Sequence, residues 1–336
     1  EYRQIGYGKQ SVGSCRGESS HQEHPFVALV SANAGQEQGR VYGFHFVYSG
    51  NFLAQVEKNQ FDSLRVVLGI HPQDFKWELK QDETFTAPEV VMTYSDAGLG
   101  RMTRTLHDLY RKHLIRSPYK DRERPVLINN WEATYFDFNE EKLAALMDDA
   151  AELGVDMFLL DDGWFGNKHP RHNDTQGLGD WDETRGKLPG GIAGLVETAE
   201  GKGIRFGLWI EPEMVNPRSE LYEKHRDWVL RYPNRDEAYF RNQLVLDLAN
   251  PEVQDFVFGV VDRLMTENPG IAYFKWDCNS PIINAHSAYL AEKQSHLWID
   301  YVRGLYSVLE RIGAKYPDLP MMLCSGGGGR TDYGAL

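Results

Sequence analysis

The chain has 336 residues, so it can bury a sizeable core in one large domain or two ordinary domains. Its composition, 41% hydrophobic and 25% charged, is typical of a soluble globular protein. The net charge of −13 argues against a nucleic-acid or anionic-membrane partner, because both require basic surface. No run of about 18 apolar residues is present, so the sequence predicts no membrane span. Three scattered cysteines, Cys15, Cys278 and Cys324, exclude a disulfide framework and a zinc site and favour a reducing compartment.

Residues 1–97 are predicted to be rich in β-strands. Alternating or β-branched runs are separated there by Gly, Asn, Asp and Pro, the usual residues of turns. The runs are PFVALV, RVYGFHFVYSG, SLRVVLGI, KWELK and APEVVMTYS. We expect a sandwich-like domain, or the final part of one, over residues 1–97. Residues 98–123 follow as a helical connector, because apolar residues recur there at helical spacing.

From residue 124 onward, buried strands alternate with helices. The predicted strands are RPVLINNWEATYF, VDMFLLDDGW, IRFGLWIEPEMV, IAYFKWDCN and LPMMLCSGGGG. The alternation predicts right-handed βαβ units and a parallel sheet. Polar residues at every strand end favour a (β/α)8 TIM barrel, and the absence of a G-x-G-x-x-G fingerprint argues against a Rossmann fold. Residues 124–336 hold only five βα units, so we expect the barrel to be incomplete at its C-terminal end.

The fourth of these strands ends in the segment KWDCN. Side chains alternate between the two faces of a strand, so the polar residues Lys275, Asp277 and Asn279 share one face. We expect this face to line the barrel mouth. A carboxylate between an ammonium and an amide should have a lowered pKa, which suits nucleophilic attack. A buried structural ion pair is the alternative interpretation.

Acidic residues also end the second and third strands. Asp161 and Asp162, close to tryptophans, suit the binding of sugar hydroxyls, and Mg²⁺ ligation is the rival interpretation. For Glu211 and Glu213, a structural role and a functional role are equally compatible with the sequence. The metal interpretation gains no support from the segment HPRH, residues 169–172, which is expected to be a solvated loop.

The glycine run CSGGGG at the end of the fifth strand admits two interpretations. It lacks the Lys-Ser/Thr that follows the glycines of a P-loop, and no basic cluster surrounds it, which argues against a phosphate cradle. Bare backbone that allows a ligand to approach closely is the better physical explanation.

Nine motifs occur together in a fixed order along almost the whole chain. They are SSHQEHPFVAL, VYGFHFVYSGNFLAQVE, NNWEATYFDF, LLDDGWFG, GDWDETRGKLPGG, LWIEPEMVN, RNQLVLDLANPEV, YFKWDCN and CSGGGGRTD. In this order they resemble the α-galactosidases of glycoside hydrolase family 36, the melibiase family. The resemblance implies an N-terminal β-supersandwich, a (β/α)8 catalytic barrel and a C-terminal β-domain. It also implies hydrolysis of terminal α-D-galactosyl residues, as in melibiose and raffinose, with retention of configuration.

The resemblance assigns roles to individual residues. Asp277, in the K-W-D-x-N motif, corresponds to the family's nucleophile. The substrate-binding residues that it implies are Trp131, Asp161, Asp162, Trp209, Arg241, Lys275, Asn279, Cys324 and Gly327. Cys324 and Gly327 are expected near the 2-position of the sugar, a pattern similar to that of galactose-selective members. No metal or other cofactor is implied.

The acid/base is expected outside the chain. In the family it is an aspartate in a W-x-S-D stretch beyond the glycine motif, and by the resemblance this lies after Leu336, with roughly two hundred residues absent at each end. Asp332 belongs to the glycine motif and is not the acid/base. The fragment alone is therefore expected to be inactive. Cys278, Ser280 and the segment RTDYGAL depart from the usual family pattern, which affects fine specificity more than reaction type.

The resemblance thus implies a retaining α-galactosidase with an α-galactoside oligosaccharide as its partner, and the net charge and hydropathy predict no nucleic acid or membrane partner. Two alternatives stay open at this point: a galactosyl-transferring relative similar to raffinose synthase, and a catalytically incomplete sugar-binding fragment. The resemblance also implies a bacterial cytoplasmic location and a homo-oligomeric, tetrameric full-length protein.

Overall fold

The computed structural model describes residues 1–336, which form two compact units. One unit comprises residues 1–120 together with residues 328–336, and the other comprises residues 121–327. The domain boundaries that the sequence suggests, after residues 97 and 123, stay a prediction.

The first unit contains six strands in two antiparallel sheets of three. The strands are β1 (Gly8–Ser14), β2 (Phe26–Val30), β3 (Val41–Val47), β4 (Phe52–Lys58), β5 (Leu64–Ile70) and β6 (Glu89–Ser95). The sheet orders are β1-β4-β5 and β2-β3-β6. The expected β-rich character of residues 1–97 is confirmed.

Three details of this unit differ from the sequence prediction. The run KWELK is not a strand, and its Trp77 packs on Phe85 with 4.9 Å between ring centroids. Strands β1 and β4 are both absent from the predicted runs, and they pair with each other along their whole length. Strand β1 forms because of this pairing. The composition of β1, GKQSVGS, carries a weak strand signal, so tertiary pairing decides its conformation.

The expected connector is helical. Helix α1 (Gly98–Leu109) continues into a π-helical turn at Tyr110–Leu114, and a short 3₁₀ helix follows at Pro118–Asp121. Met102 and Leu106 are buried and pack with Val41.

The second unit is built around a parallel sheet of five strands. These are β7 (Leu127–Asn129), β8 (Met157–Leu160), β9 (Arg205–Ile210), β12 (Ile271–Trp276) and β13 (Met321–Leu323), and they lie in this order in the sheet. A separate two-stranded antiparallel pair is formed by β10 (Met214–Val215) and β11 (Leu244–Val245). The five parallel strands follow chain order across the sheet, as successive strands of a barrel do, which confirms the expected TIM-barrel architecture.

Helices follow or precede these strands as the alternation predicts. They are α2 (Trp131–Thr134), α3 (Glu140–Glu152), α4 (Gly191–Gly201), α5 (Glu220–Lys224), α6 (Pro251–Glu267) and α7 (Leu297–Lys315), with 3₁₀ helices at Arg226–Trp228 and Ala291–His296. Helix α3 begins as expected, because the side chain of Asn139 accepts a hydrogen bond from the Lys142 N–H at 2.9 Å. A buried apolar core, which includes Phe158, Leu208 and Phe274, packs the helices on the sheet.

The first and third predicted strands are shorter than expected. After β7, the Asn129 side chain accepts a hydrogen bond from the Trp131 N–H at 2.8 Å, which turns the chain into helix α2. Strand β9 ends at Ile210, and the residues that continue its pattern, Met214 and Val215, pair with β11 instead.

Helix α7 packs very closely on the segment before α6. A Cβ atom added at Gly304 would lie 1.9 Å from the carbonyl oxygen of Leu248, whereas one added at Gly313 would meet no atom within 4 Å. We expect Gly304→Ala to lower stability by about 1–3 kcal/mol, because backbone must move to admit the methyl group. Gly313→Ala, on the same helix, should be neutral or stabilising by up to about 1 kcal/mol. Thermal unfolding of both variants tests this, and equal midpoints would contradict it.

Candidate active site

The strand β12 separates apolar from polar side chains as the alternation predicts. Phe274 and Trp276 are fully buried in the apolar core. Lys275, on the opposite face, donates a hydrogen bond from Nζ to Oδ2 of Asp161 at 2.7 Å. Asp277 follows the strand, and its backbone N–H donates to the carbonyl of Ile210 at 2.8 Å. The carboxyl ends of β8, β9 and β12 therefore meet where these polar groups lie.

Asp277 is a buried carboxylate with a hydrogen bond on each oxygen. The indole Nε1 of Trp209 donates to Oδ2 at 3.1 Å, and the backbone N–H of Cys278 donates to Oδ1 at 3.0 Å. Burial by itself would raise the pKa of Asp277, but hydrogen bonding from Asn279, the charge of Lys275 and the other two donors lower it below its usual value. The carboxyl group is therefore ionised at neutral pH, which a nucleophile requires.

Asp161 connects β7, β8 and β12. Its Oδ2 accepts a hydrogen bond from Asn129 Nδ2 at 2.5 Å in addition to that from Lys275, and its backbone N–H donates to Asn130 Oδ1 at 2.7 Å. Burial would lower the pKa of Lys275, but the charge and hydrogen bond of Asp161 outweigh that effect and raise it. Lys275 is therefore a cation, and its charge also favours the ionised form of Asp277.

Asp162 has a different environment from Asp161. Both of its oxygens accept hydrogen bonds from Arg171, Nε to Oδ1 at 2.9 Å and NH2 to Oδ2 at 2.8 Å, so the pair is bidentate. Burial raises the pKa of Asp162, while the charge and hydrogen bonds of Arg171 act in the opposite direction. Arg171 NH1 donates to Asn216 Oδ1 at 2.9 Å, which fixes the guanidinium in turn.

The two glutamates beyond β9 are buried and accept hydrogen bonds. Glu211 Oε1 accepts from the Asn279 N–H at 2.5 Å and from Gln243 Nε2 at 3.1 Å. Burial, followed by the negative charge of Asp277, raises the pKa of Glu211 to about 8. Glu213 accepts from Trp276 Nε1 at 2.7 Å and from Tyr301 Oη at 2.8 Å, so it ties strand β12 to helix α7.

The glycine segment is connected to Asp277 through Asn279. Asn279 Oδ1 accepts a hydrogen bond from the Gly326 N–H at 2.7 Å. Gly327 has a φ of +96° and no atom within 4 Å of the position that a Cβ would occupy, so its backbone borders open space. The Cys324 N–H donates to the carbonyl of Trp276 at 2.7 Å. Burial and then the charge of Asp277 raise the pKa of the Cys324 thiol, so it is protonated at neutral pH.

The structure brings most, but not all, of the predicted site residues together. Trp131 is linked to Asp161 through Asn129, which accepts from the Trp131 N–H and donates to Asp161. Arg241 is exposed, has a φ of +51° and makes no hydrogen bond or ion pair. No hydrogen bond or ion pair therefore joins it to the remaining predicted residues.

Sequence reasoning missed Arg171, which lies in the segment expected to be a solvated loop. Arg171 is only 2% exposed and lies over the rings of Phe136 and Phe165, 5.6 and 5.8 Å from their centroids. The solvated-loop interpretation is therefore wrong for this residue. A local signal was lacking, because the partner, Asp162, lies nine residues away across an irregular loop.

Together, these groups can bind and attack a polyhydroxylated ligand. The site offers an ionised carboxylate, a cation, amide groups, an indole and open glycine backbone around one point. The structure contains no group of three or more His, Cys, Asp or Glu side chains arranged to hold a metal ion. No helix has the length and apolar character that crossing a bilayer would require.

Profiles of known families match both parts of the chain. The family described as Melibiase matches residues 84–336, and the Glycosyl hydrolase family 36 N-terminal domain matches residues 1–80. The chain belongs to glycoside hydrolase family 36, the melibiase family. Its matches to the family models therefore extend over nearly all of its length.

Relatives in this family are similar in sequence and in structure. Alpha-galactosidase AgaA of Geobacillus stearothermophilus is 51% identical over 337 residues, which cover 100% of this chain and 46% of AgaA. Alpha-galactosidase 1 of Pediococcus pentosaceus is 44% identical over 331 residues, covering 98% of this chain and 45% of that protein. A crystal structure of AgaA superposes with a TM-score of 0.96 over 99% of this chain and 46% of the AgaA chain. The chain thus spans about half the length of the family members it matches. Crystal structures of AgaA variants contain stachyose and raffinose.

The buried ion pair of Asp162 and Arg171 makes a prediction about stability. We expect Arg171→Met to destabilise the protein by about 3–5 kcal/mol, because the carboxylate is then buried without a partner. The double variant Arg171→Met/Asp162→Asn should recover part of this loss. Arg311→Met, which removes an exposed pair with Asp255, should cost no more than about 1 kcal/mol. Denaturant unfolding measures all three, and a double variant no more stable than Arg171→Met would contradict the assignment.

The raised pKa of Glu211 predicts a pH dependence of stability. The folded protein keeps this proton up to about pH 8, whereas the unfolded chain loses it near pH 4.5. The stabilising contribution of the protonated group is therefore full below pH 4.5 and is lost as pH rises through 8. Glutamine does not titrate. The difference in melting temperature between Glu211→Gln and the unsubstituted protein should therefore shift in favour of the variant as pH rises from 5.5 to 8. Asp262→Asn, at a carboxyl whose pKa is lowered chiefly by a hydrogen bond from Lys315, should show a constant difference over this range. A constant difference for Glu211→Gln as well would refute the raised pKa.

Proposed function

We propose that the full-length protein is a retaining α-galactosidase that hydrolyses terminal α-D-galactosyl residues through a covalent intermediate on Asp277. The observation that carries the proposal is the buried carboxylate of Asp277 at the carboxyl end of β12, which accepts hydrogen bonds from the Trp209 indole and the Cys278 N–H. The nearby charge of Lys275 further favours its ionised form. Membership of the melibiase family and the alpha-galactosidase names of the relatives support the choice of galactose. The stachyose and raffinose bound by AgaA variants support oligosaccharides of this type as substrates.

The first chemical step forms a bond between an oxygen of Asp277 and the anomeric carbon. The bond from that carbon to the leaving oxygen breaks, and the leaving oxygen takes a proton from a second carboxyl group. We propose that this group is the aspartate of a W-x-S-D stretch located after residue 336. In the second step the same group removes a proton from water, whose oxygen attacks the anomeric carbon and releases Asp277. Two displacements on opposite faces retain the configuration.

The remaining site residues orient the sugar in this proposal. Asp161 and Asp162 each keep oxygen lone pairs beyond those used by Lys275 and Arg171, so they can accept hydrogen bonds from galactose hydroxyls. Lys275 can donate a second hydrogen bond to the sugar. We place Cys324 and Gly327 at the 2-position, where open backbone lets the hydroxyl group approach. Arg241 would have to move to make contact.

The proposal favours water over a sugar as acceptor, because the curated relatives are named alpha-galactosidases rather than synthases. We extend it to a homotetrameric protein in the bacterial cytoplasm, as the family resemblance implies. Product analysis in excess acceptor sugar distinguishes hydrolysis from transfer, and sedimentation of the full-length protein measures the assembly.

Replacement of the nucleophile tests the mechanism directly. We expect Asp277→Ala in the full-length protein to lower kcat for an aryl α-galactoside by at least about 10³-fold, because no other group can form the intermediate. Asp255→Ala, at an exposed position of helix α6, should leave kcat within twofold. NMR of the first product of the unsubstituted enzyme should show the α-anomer. An Asp277→Ala variant within tenfold of the parent, or a β-anomeric first product, would refute the proposal.

A further inference from the structure

A second cavity lies within residues 121–327, away from the groups around Asp277. Its volume is about 390 Å³, within the usual range of ligand-binding pockets, about 300–1,000 Å³. It is bordered by helices α5 and α6 and by the loop that contains Trp181, and we name it the α5–α6 cavity. None of the ten residues predicted for the active site lines it.

The wall of the α5–α6 cavity is preformed. Asp180 accepts hydrogen bonds from the backbone N–H groups of Glu220 and Leu221 at 2.8 and 3.0 Å, which fixes the start of helix α5 on the loop. Arg263 NH2, from helix α6, donates to the carbonyl of Trp181 at 3.0 Å. The loop and both helices are therefore held together around the cavity. A ligand would not lose binding free energy to the ordering of these segments.

Aromatic rings form part of the wall. Trp228 is stacked on His225, with 3.8 Å between ring centroids and 20° between the planes, and lies 5.6 Å from Phe256. A flat, fixed aromatic surface with a polar border suits the apolar C–H face of a sugar ring.

One buried polar group beside the cavity lacks a partner. The indole Nε1 of Trp181 is buried and makes no hydrogen bond, although the residue lines the cavity. An unsatisfied buried N–H costs about 1–3 kcal/mol, so such groups are rare. Because this atom is sealed from solvent, a ligand in the cavity would meet other atoms of Trp181.

The charged groups around the cavity favour a neutral ligand. Arg263 NH1 donates to Asp182 Oδ1 at 2.7 Å, and Lys224 lies 3.9 Å from Glu220. Both signs of charge are thus present in pairs. A phosphate or a carboxylate would meet acidic side chains, and a cation would meet basic ones. Sugar hydroxyls can both donate to the carboxylates and accept from the guanidinium, so they match both members of each pair.

We propose that the α5–α6 cavity is a second binding site, which takes one ring of a neutral carbohydrate. The site differs from the one around Asp277 and does not depend on whether Asp277 acts as a nucleophile. The two sites are close neighbours, because the ring centroid of Trp181 lies 6.3 Å from that of Trp209, which contacts Asp277.

Two helical glycines provide a matched pair of variants. Gly259, on helix α6, lines the cavity, and a Cβ atom added there meets no atom within 4 Å. The substitution Gly259→Leu should fill the cavity without moving the backbone. Gly313→Leu adds the same side chain at an equally open position of helix α7, which does not line the cavity.

The test is titration of the full-length protein with raffinose by calorimetry and tryptophan fluorescence, in an Asp277→Ala background that prevents turnover. We expect two binding phases. Gly259→Leu should weaken one of them at least tenfold in apparent affinity, so that it is lost from the titration. Gly313→Leu should keep both phases. Without the Asp277→Ala substitution, Gly259→Leu should hydrolyse an aryl α-galactoside at an unchanged rate. Repetition with sucrose and maltose then defines which sugar ring is bound.

Three results would overturn the proposal. One is a single binding phase in the Asp277→Ala protein. Another is a Gly259→Leu titration that superposes on that of Gly313→Leu. The third is dissociation of an oligomer by Gly259→Leu in sedimentation, since the cavity would then be a contact between subunits. If the unsubstituted enzyme does not hydrolyse an aryl α-galactoside, by contrast, this result would count against the proposed function and not against the second site.

Discussion

The candidate active site is constrained above all by the burial of acidic groups at one edge of a parallel sheet. Five carboxyl groups lie within it, Asp161, Asp162, Glu211, Glu213 and Asp277. Only two cations, Lys275 and Arg171, pair with them directly. Each remaining carboxyl group must be stabilised by neutral donors or keep its proton, since an unpaired buried charge is very unfavourable. The Trp209 and Trp276 indoles, the Tyr301 hydroxyl and the backbone after β12 supply those donors. Glu211, with a pKa near 8, keeps its proton at neutral pH.

This excess of acidic groups has a consequence for the proposed chemistry. Glycoside hydrolysis passes through a transition state in which the sugar ring carries positive charge. A site with more carboxylates than cations stabilises that charge more than it stabilises the neutral substrate, and its groups are already held in place by hydrogen bonds. Lys275 offsets only part of the negative potential of the carboxylates, because it donates its hydrogen bond to Asp161 and not to Asp277. Asp277 thus stays ionised while the net potential around it remains negative.

The sequence predicted those parts of the site whose cause is local. Strand alternation placed Lys275 opposite Phe274 and Trp276, and helix signals located α3 with its Asn139 cap. What it missed depends on contacts between distant segments. Arg171 acquires its role only when an irregular loop returns to β8. The protonation of Glu211 follows from burial and from the proximity of Asp277, neither of which is visible in the segment WIEPEMV. The exposed, left-handed backbone of Arg241 likewise depends on the pairing of neighbouring residues.

Trp209 shows how the apolar core and Asp277 are coupled. Its ring lies parallel to that of Phe165, with an angle of 4° and 6.1 Å between centroids, and it also packs near Trp181. Because these contacts fix the ring, its N–H points at Asp277 before any substrate binds, and no reorganisation is needed in the reaction. One side chain therefore contributes its ring to packing and its N–H to Asp277. A change in the aromatic packing behind Trp209 should therefore alter the hydrogen bond to Asp277 even when no residue at the sheet edge is replaced.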